Sequence, residues 1–116
     1  MKAKGHRSER MAEQLRTELS RLIEGEVRDP RVGFATVTEV HLAADNRSAR
    51  VLVSVLGGEE QEQSTMKGLL AAGNFLRHAL AEELSLRHTP ELSFEIDHGL
   101  ENTARVDELL KRIKKK

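Results

Sequence analysis

The sequence of 116 residues predicts a single α+β domain in which helices pack on one face of a three-stranded sheet. Apolar residues recur at intervals of three and four in the first, middle and last parts of the chain, which is the spacing of amphipathic helices. Between these parts, short segments alternate apolar and polar side chains, as strands do. The predicted order is therefore helix, strand, strand, interrupted helix, strand, helix, in one domain spanning residues 1–116.

The first helix is predicted over residues 8–24, with Ser8 as its N-cap and Gly25 as its C-terminal stop. Its apolar stripe consists of Met11, Leu15, Leu19, Leu22 and Ile23. On the opposite face, Arg7, Arg10 and Arg21 form a basic band. That band fits either contact with phosphate or an ordinary solvated helix face.

A connector over residues 26–33 follows this helix. Asp29 before Pro30 is favourable turn chemistry, and Arg28 and Arg31 flank the turn. These two arginines fit contacts to a ligand, and they equally fit capping of the preceding helix.

Two strands are predicted next, over residues 34–42 and 48–56. The second alternates cleanly, with Ala49, Val51, Val53 and Val55 on one face. Residues 44–47 between the strands predict a hairpin turn and an antiparallel pair. Residues 57–63 then predict a flexible loop, in which Gly57-Gly58 lacks the spacing and the lysine of a phosphate-binding loop.

A long helical pattern over residues 64–87 is interrupted at Ala71-Ala72-Gly73. The apolar residues that share one face with Gly73 are Met66, Leu69, Leu70, Leu76, Leu80 and Leu84. Glycine inside a helix costs about 1 kcal/mol relative to alanine. A glycine on this face indicates a kink, a close approach of neighbouring backbone, or a small packing space. The order of the surrounding elements favours the kink.

The last two elements complete the predicted layer arrangement. Pro90 begins a strand in which Leu92, Phe94 and Ile96 alternate with polar residues. A final helix over 103–113 is predicted from the spacing of Val106, Leu109, Leu110 and Ile113. A short basic tail of lysines, residues 114–116, follows it, and cations there also suit the helix dipole.

Charge is distributed unevenly, although the net charge is zero. Residues 1–31 carry eight basic and six acidic side chains, residues 32–104 five and eleven, and residues 105–116 six and two. This distribution favours a polyanionic partner contacted by the ends of the chain, or else terminal segments that keep the protein in solution. The aromatic residues, Phe34, Phe75 and Phe94, are each predicted in the core, so a nucleic acid would be held by its phosphates and shape rather than by stacked bases.

No catalytic constellation is visible. The chain has no cysteine, which excludes disulfides and thiolate zinc sites. No histidine pair has metal-ligand spacing, and no serine lies in a nucleophile elbow. No apolar run is long enough to span a membrane, and the N-terminal lysines are not followed by the apolar run of a signal peptide. We therefore expect no enzyme activity, metal, cofactor, small-molecule substrate or membrane contact, and a cytoplasmic location.

Several segments together resemble the ribosome-binding factor A family over nearly the whole chain. They are Arg-Met-Ala-Glu-Gln-Leu at residues 10–15, Arg-Asp-Pro-Arg-Val-Gly at 28–33, the Ala71-Ala72-Gly73 interruption, and the closing stretch 92–110. The resemblance implies a type II KH-like fold, of order α-β-β-α-kink-α-β, in which an Ala-x-Gly interruption replaces the Gly-x-x-Gly loop of ordinary KH domains. The tail after the predicted last helix is shorter than the extensions of some relatives.

The resemblance also implies a function. A member of this family is expected to bind the free 30S small ribosomal subunit and its 16S rRNA as a monomer during late maturation. It is expected to support processing of the 5′ end of that RNA and growth in the cold, without cutting RNA itself. One alternative is a general KH-like RNA-binding module that acts off the ribosome, and another is a protein-interaction domain.

The candidate RNA contacts are basic side chains near the kink and at the two ends of the chain. They are Arg7, Arg10, Arg28, Arg31, Arg77, Lys111, Arg112, Lys114, Lys115 and Lys116. The kink motif Ala71, Ala72 and Gly73 is a further candidate, because the amides that begin the second half-helix favour phosphate.

Overall fold

A computed structural model describes the backbone of residues 2–98 and the side chains of residues 9–98. Its elements are α1 (Lys2–Gly25), β1 (Ala35–Leu42), β2 (Ser48–Val55), α2 (Glu59–Ala71), α3 (Gly73–Glu83) and β3 (Glu91–Ile96). The predicted α+β class and the KH-like order from the first helix to the third strand are confirmed. The final helix predicted over 103–113 and the tail 114–116 lie outside the described residues.

The sheet has the strand order β1-β2-β3. β1 and β2 are antiparallel, as predicted, and the turn between them places Asn46 at a φ of 60°. β3 pairs parallel to β2, with Val53 opposite Ile96. Parallel strands need a crossover connection, and α2 and α3 provide it.

The core lies between one face of the sheet and the helices. The predicted inner face of β2 is confirmed, because Ala49, Val51 and Val53 are almost completely buried. The side chains that cover this face come from α1, α2 and α3, and the fully buried ones are Leu15, Leu19, Leu22, Leu69, Leu76 and Leu80. The stripe predicted for the first helix is therefore correct.

Three predicted helix ends were wrong. α1 begins at Lys2, so Ser8 lies inside the helix and is not its N-cap. α2 begins at Glu59, so residues 59–63 are helical rather than a flexible loop, and three glutamates in its first turn suit the positive end of the helix dipole. α3 ends at Glu83 rather than at 87, shortly before Ser85 adopts a φ of 52°.

The predicted interruption is confirmed, with Ala72 between α2 and α3. The Ala72 amide donates to the Gly68 carbonyl at 3.0 Å, and the Leu76 amide donates to the Ala72 carbonyl at 2.9 Å. A Cβ added to Gly73 would meet nothing within 4 Å, so neither a close approach nor a small packing space explains this glycine. Leu70 is 79% exposed and so does not share the buried face.

The prediction that the phenylalanines lie in the core was wrong at two positions. Phe34 is 82% exposed and Phe75 is 47% exposed, whereas Phe94 packs partly buried against the core. Phe34 precedes β1 and pairs with Leu56 beyond the buried ends of the two strands, where the Leu56 amide donates to its carbonyl. Phe75 lies in the first turn of α3, beside the connector that follows α1.

Candidate functional site

A solvent-open groove forms where the connector after α1 meets the interruption between α2 and α3. Its volume is about 670 Å³. Its lining consists of residues 26–31 together with Ala71, Ala72 and Phe75. The fold thus brings together two segments that lie far apart in the sequence, and both contain predicted site residues. We call this site the kink groove.

One wall of the kink groove is a tight turn, as the sequence predicts. The Val32 amide donates to the Asp29 carbonyl at 3.0 Å, with Pro30 at the second position of the turn. The Asp29 carboxylate also accepts a hydrogen bond from the Arg31 amide at 2.9 Å. Backbone and side chain of Asp29 therefore fix the shape of the segment that carries Arg28 and Arg31.

The same turn is anchored to α2. Ser64 Oγ donates to the Arg31 carbonyl at 2.8 Å, and the Gly33 amide donates to Oγ1 of the buried Thr65 at 3.1 Å. One turn further along α2, a Cβ on Gly68 would lie 2.5 Å from Val32 Cγ2 and 3.3 Å from the Val32 nitrogen. Gly68, rather than Gly73, is the glycine that permits a close approach. Sequence reasoning missed its role, and the signal that could have found it was a second glycine in the helical pattern predicted over residues 64–87.

The two arginines of the turn differ in their electrostatic surroundings. Arg31 holds the Asp29 carboxylate through Nε at 3.0 Å and Nη2 at 2.7 Å. The side chain and then the backbone amide of Arg31 lower the pKa of Asp29 to about 2. Arg28 is exposed, and it has no ion pair among residues 9–98. Arg28 is therefore the cation of the groove whose charge is not already compensated.

The basic band predicted on the first helix is partly neutralised. Arg21 lies 3.1 Å from Glu18, 3.6 Å from Glu83 and 3.9 Å from Glu26. Arg10 is exposed and lines a separate shallow depression on α1. The backbone of Arg7 lies in α1, but its side chain falls outside the described residues.

The remaining candidate RNA contacts do not line the kink groove in the described part of the chain. Arg77 is partly buried and donates to the Thr89 carbonyl at 3.5 Å, and it lines a different depression with His78 and His88. Lys111, Arg112 and Lys114–Lys116 lie outside the described part of the chain.

Carboxylates and histidines do not converge on a reaction centre in the described part of the chain. Within residues 9–98, no group of three His, Cys, Asp or Glu side chains could hold a metal ion. Three histidines lie beside single glutamates, at 3.5 Å for His41 with Glu39, 3.1 Å for His78 with Glu82 and 3.0 Å for His98 with Glu62. None of the described helices combines the length and the apolar character needed to cross a bilayer.

Known proteins are similar to this chain in sequence over most of its length. The family model for ribosome-binding factor A matches residues 7–110. The ribosome-binding factor A of Koribacter versatilis (strain Ellin345) is 45% identical over 111 residues, which are 96% of this chain and 90% of the relative.

Solved structures of the same family share the fold. The crystal structure of ribosome-binding factor A from Thermus thermophilus superimposes with a TM-score of 0.69 at 28% identity, over 77% of this chain and 93% of that one. A homology model of the Thermus thermophilus factor, fitted into a cryo-EM map of a 30S–RbfA complex, gives a TM-score of 0.62 at 30% identity, over 73% and 89% of the two chains. The chain described above therefore belongs to the ribosome-binding factor A family.

Proposed function

We propose that this chain is a non-catalytic assembly factor that binds the free 30S ribosomal subunit and its 16S rRNA during late maturation. The observation that carries the proposal is the likeness to the Thermus thermophilus factor fitted into the map of a 30S–RbfA complex. The finer parts of the proposal are action as a monomer in the cytoplasm, support for processing of the 16S rRNA 5′ end, and support for growth in the cold.

The charges of the described residues favour one orientation on such a partner. The open face of the sheet carries Glu39, Glu91 and Glu95, and its arginine, Arg50, donates to Glu95 at 2.6 Å. That face repels a polyanion. The kink groove presents the uncompensated Arg28, so we propose that the groove side, rather than the open sheet face, is turned toward RNA.

The proposed contacts to RNA remain those predicted from the sequence. Arg28 and Arg31 lie together in the kink groove beside Ala71 and Ala72. The contacts proposed outside this groove are Arg7, Arg10, Arg77, Lys111, Arg112, Lys114, Lys115 and Lys116. Gly73 begins α3, and no side chain caps this helix N-terminus. Amides at a helix N-terminus favour phosphate, so the kink motif Ala71, Ala72 and Gly73 stays among the proposed contacts.

Sucrose-gradient fractionation of cell extract tests the proposal. The full chain is expected to migrate with free small-subunit particles. Arg28→Glu should shift it toward the top of the gradient, because it replaces the uncompensated cation of the groove with an anion. Arg47→Glu is the matched control, since Arg47 is an exposed arginine in the hairpin turn at the far end of the strands, with no ion pair among residues 9–98.

The outcomes separate this function from the alternative. Migration of the unmodified chain with RNA but away from small-subunit particles would favour a KH-like module acting off the ribosome. Equal effects of Arg28→Glu and Arg47→Glu would contradict the orientation proposed above.

Depletion of the protein should lengthen 16S rRNA at its 5′ end, as measured by primer extension. Normal 5′ ends in depleted cells would contradict the proposed support for processing.

A further inference from the structure

An exposed aromatic ring lies in the kink groove. Phe75 is 47% exposed, and it stands in the first turn of α3 against the turn that carries Arg28. The apolar part of the groove lining also includes Val27, Pro30, Ala71 and Ala72. Phe75 and the unpaired Arg28 line the same groove. Packing of the buried core, which is aliphatic, does not explain why this ring is half exposed.

Both carboxylates of the groove lie beside an arginine other than Arg28. Asp29 holds Arg31, and Glu26 lies 3.9 Å from Arg21, which Glu18 and Glu83 also contact. Of the two arginines that line the groove, Arg28 is the one without an ion pair among residues 9–98, so its guanidinium is available to a ligand. Charge complementarity therefore favours an anionic ligand over a basic peptide.

An aromatic face together with a cation matches one kind of anion in particular. Unpaired bases stack on aromatic side chains, while arginine contacts the adjoining phosphate. A groove of about 670 Å³ has the size of pockets that accept small molecules, which suits one or two nucleotides rather than a duplex.

We propose that Phe75 stacks an unpaired base of single-stranded RNA in the kink groove while Arg28 contacts the neighbouring phosphate. This proposal rests on the proposed function in taking ribosomal RNA as the natural source of the strand. It replaces the sequence-based expectation that bases are not stacked, because that expectation placed Phe75 in the core.

Phe34 provides an internal comparison. It is more exposed than Phe75, at 82%, and it lines a neighbouring groove with Ile23, Glu24 and Val32. The lining of that groove includes the carboxylate of Glu24 and no arginine among the described residues. Phe34 is thus an exposed phenylalanine without the adjacent cation, and Phe34→Leu is a matched control for Phe75→Leu.

The test measures binding of the full chain to a single-stranded RNA decamer that contains 2-aminopurine, and to the duplex of the same sequence. Phe75→Leu keeps an apolar side chain but removes the aromatic face. We expect it to weaken binding of the single strand about 5- to 150-fold, which corresponds to a stacking contribution of about 1–3 kcal/mol, and to leave duplex binding unchanged. Quenching of 2-aminopurine fluorescence should be present with the unmodified chain and with Phe34→Leu, and lost with Phe75→Leu.

Several results would overturn the inference. They are no binding of the single strand by the unmodified chain, equal losses for Phe75→Leu and Phe34→Leu, or a loss in Phe75→Leu that is the same for duplex and single strand. Weaker migration of Phe75→Leu with small subunits, at unchanged affinity for the single strand, would assign the ring to a protein contact instead.

Failure of this inference can be told from failure of the proposed function. If the unmodified chain migrates with small subunits while Phe75→Leu binds the single strand normally, the function stands and the stacking contact does not. If binding of the single strand depends on Phe75 but the chain does not migrate with small subunits, the stacking contact stands and the ribosomal function does not.

Discussion

Val32 occupies the space that any side chain on Gly68 would need. A Cβ at Gly68 would lie 2.5 Å from Val32 Cγ2, which is closer than real Cβ contacts come. This contact brings the turn after α1 against α2, and the same turn forms one wall of the kink groove. The position of Arg28 therefore depends on a glycine in a distant part of the sequence.

Gly68→Ala should destabilise the fold and displace the turn. The new methyl group must push Val32 away, and the Val32 nitrogen and Arg31 Cβ, each at 3.3 Å, limit the direction of movement. Overpacking of this kind costs about 1–3 kcal/mol. Chemical denaturation followed by circular dichroism measures the loss. Unchanged stability, together with unchanged chemical shifts in residues 29–33, would show that the contact does not hold the turn.

Gly73→Ala should leave the fold intact. A Cβ there meets nothing within 4 Å, and the Gly73 backbone is not in the left-handed region. Replacing glycine by alanine where alanine can adopt the same backbone conformation is expected to gain about 0.4–1 kcal/mol. The same denaturation experiment checks this and serves as the control for Gly68→Ala. With the fold intact, a loss of small-subunit binding would then report contact between RNA and the kink itself, and a lower stability would contradict the open space at Gly73.

Thr65→Val should loosen the turn at Gly33. Valine keeps the shape of the buried threonine but removes Oγ1, which accepts the Gly33 amide at 3.1 Å. Loss of one such hydrogen bond costs about 0.5–1.5 kcal/mol. Amide hydrogen exchange is expected to become faster at Gly33 in Thr65→Val. Thr65→Ser retains the hydroxyl, so equally fast exchange in both variants would rule out this bond as the cause.

Asp29 should remain ionised at a lower pH than an ordinary aspartate. Its pKa is lowered from 3.8 to about 2 by the side chain and the amide of Arg31. Because the folded-state pKa is the lower one, this pair stabilises the fold fully above pH 3.8, and its contribution is lost as the pH falls from there through about 2. A carboxyl titration followed by NMR measures the pKa. Arg31→Gln should raise it, although only in part because the residue 31 amide still donates, and Arg28→Gln should not.

Affinity for small-subunit RNA should fall as the salt concentration rises. The steepness of that fall reports the number of phosphate contacts. Arg10 and Arg28 are the exposed, unpaired arginines among the candidate contacts within residues 9–98. Two contacts would weaken binding about tenfold between 50 and 200 mM salt, whereas six would weaken it about a thousandfold. Titrations at a series of salt concentrations give the number. A flat dependence would contradict electrostatic binding altogether.

Local patterns predicted the elements and the turn. The alternation of Ala49, Val51 and Val53 placed one face of β2 in the core, and Asp29-Pro30 predicted the turn that the hydrogen bonds confirm. Such features depend on residues close together in the chain. The segment that begins at Glu59 was misread because its local pattern is ambiguous. An acidic segment after two glycines suits a loop and a helix N-terminus equally well.

Contacts between distant segments could not be predicted in this way. Phe75 was placed in the core because it lies in an apolar element, and only the position of the turn after α1 determines that its ring lines a groove instead. Arg21 looked like part of a basic band, although its nearest partner, Glu18 at 3.1 Å, lies three residues away in the same helix. Its contact with Glu83 of α3, at 3.6 Å, depended on the fold. Similarly, nothing near Gly68 in the sequence indicates that Val32 packs against it.

The pairing of β2 has a consequence for the order in which the chain folds. Its antiparallel partner β1 is a hairpin neighbour, whereas its parallel partner β3 follows both α2 and α3 in the chain, with Val53 opposite Ile96. Contacts between distant segments form late, so the hairpin is expected to precede the third strand. A chain that stops before Glu91 would leave the backbone donors and acceptors along one side of β2 open to pairing with other molecules, so such truncated chains should aggregate.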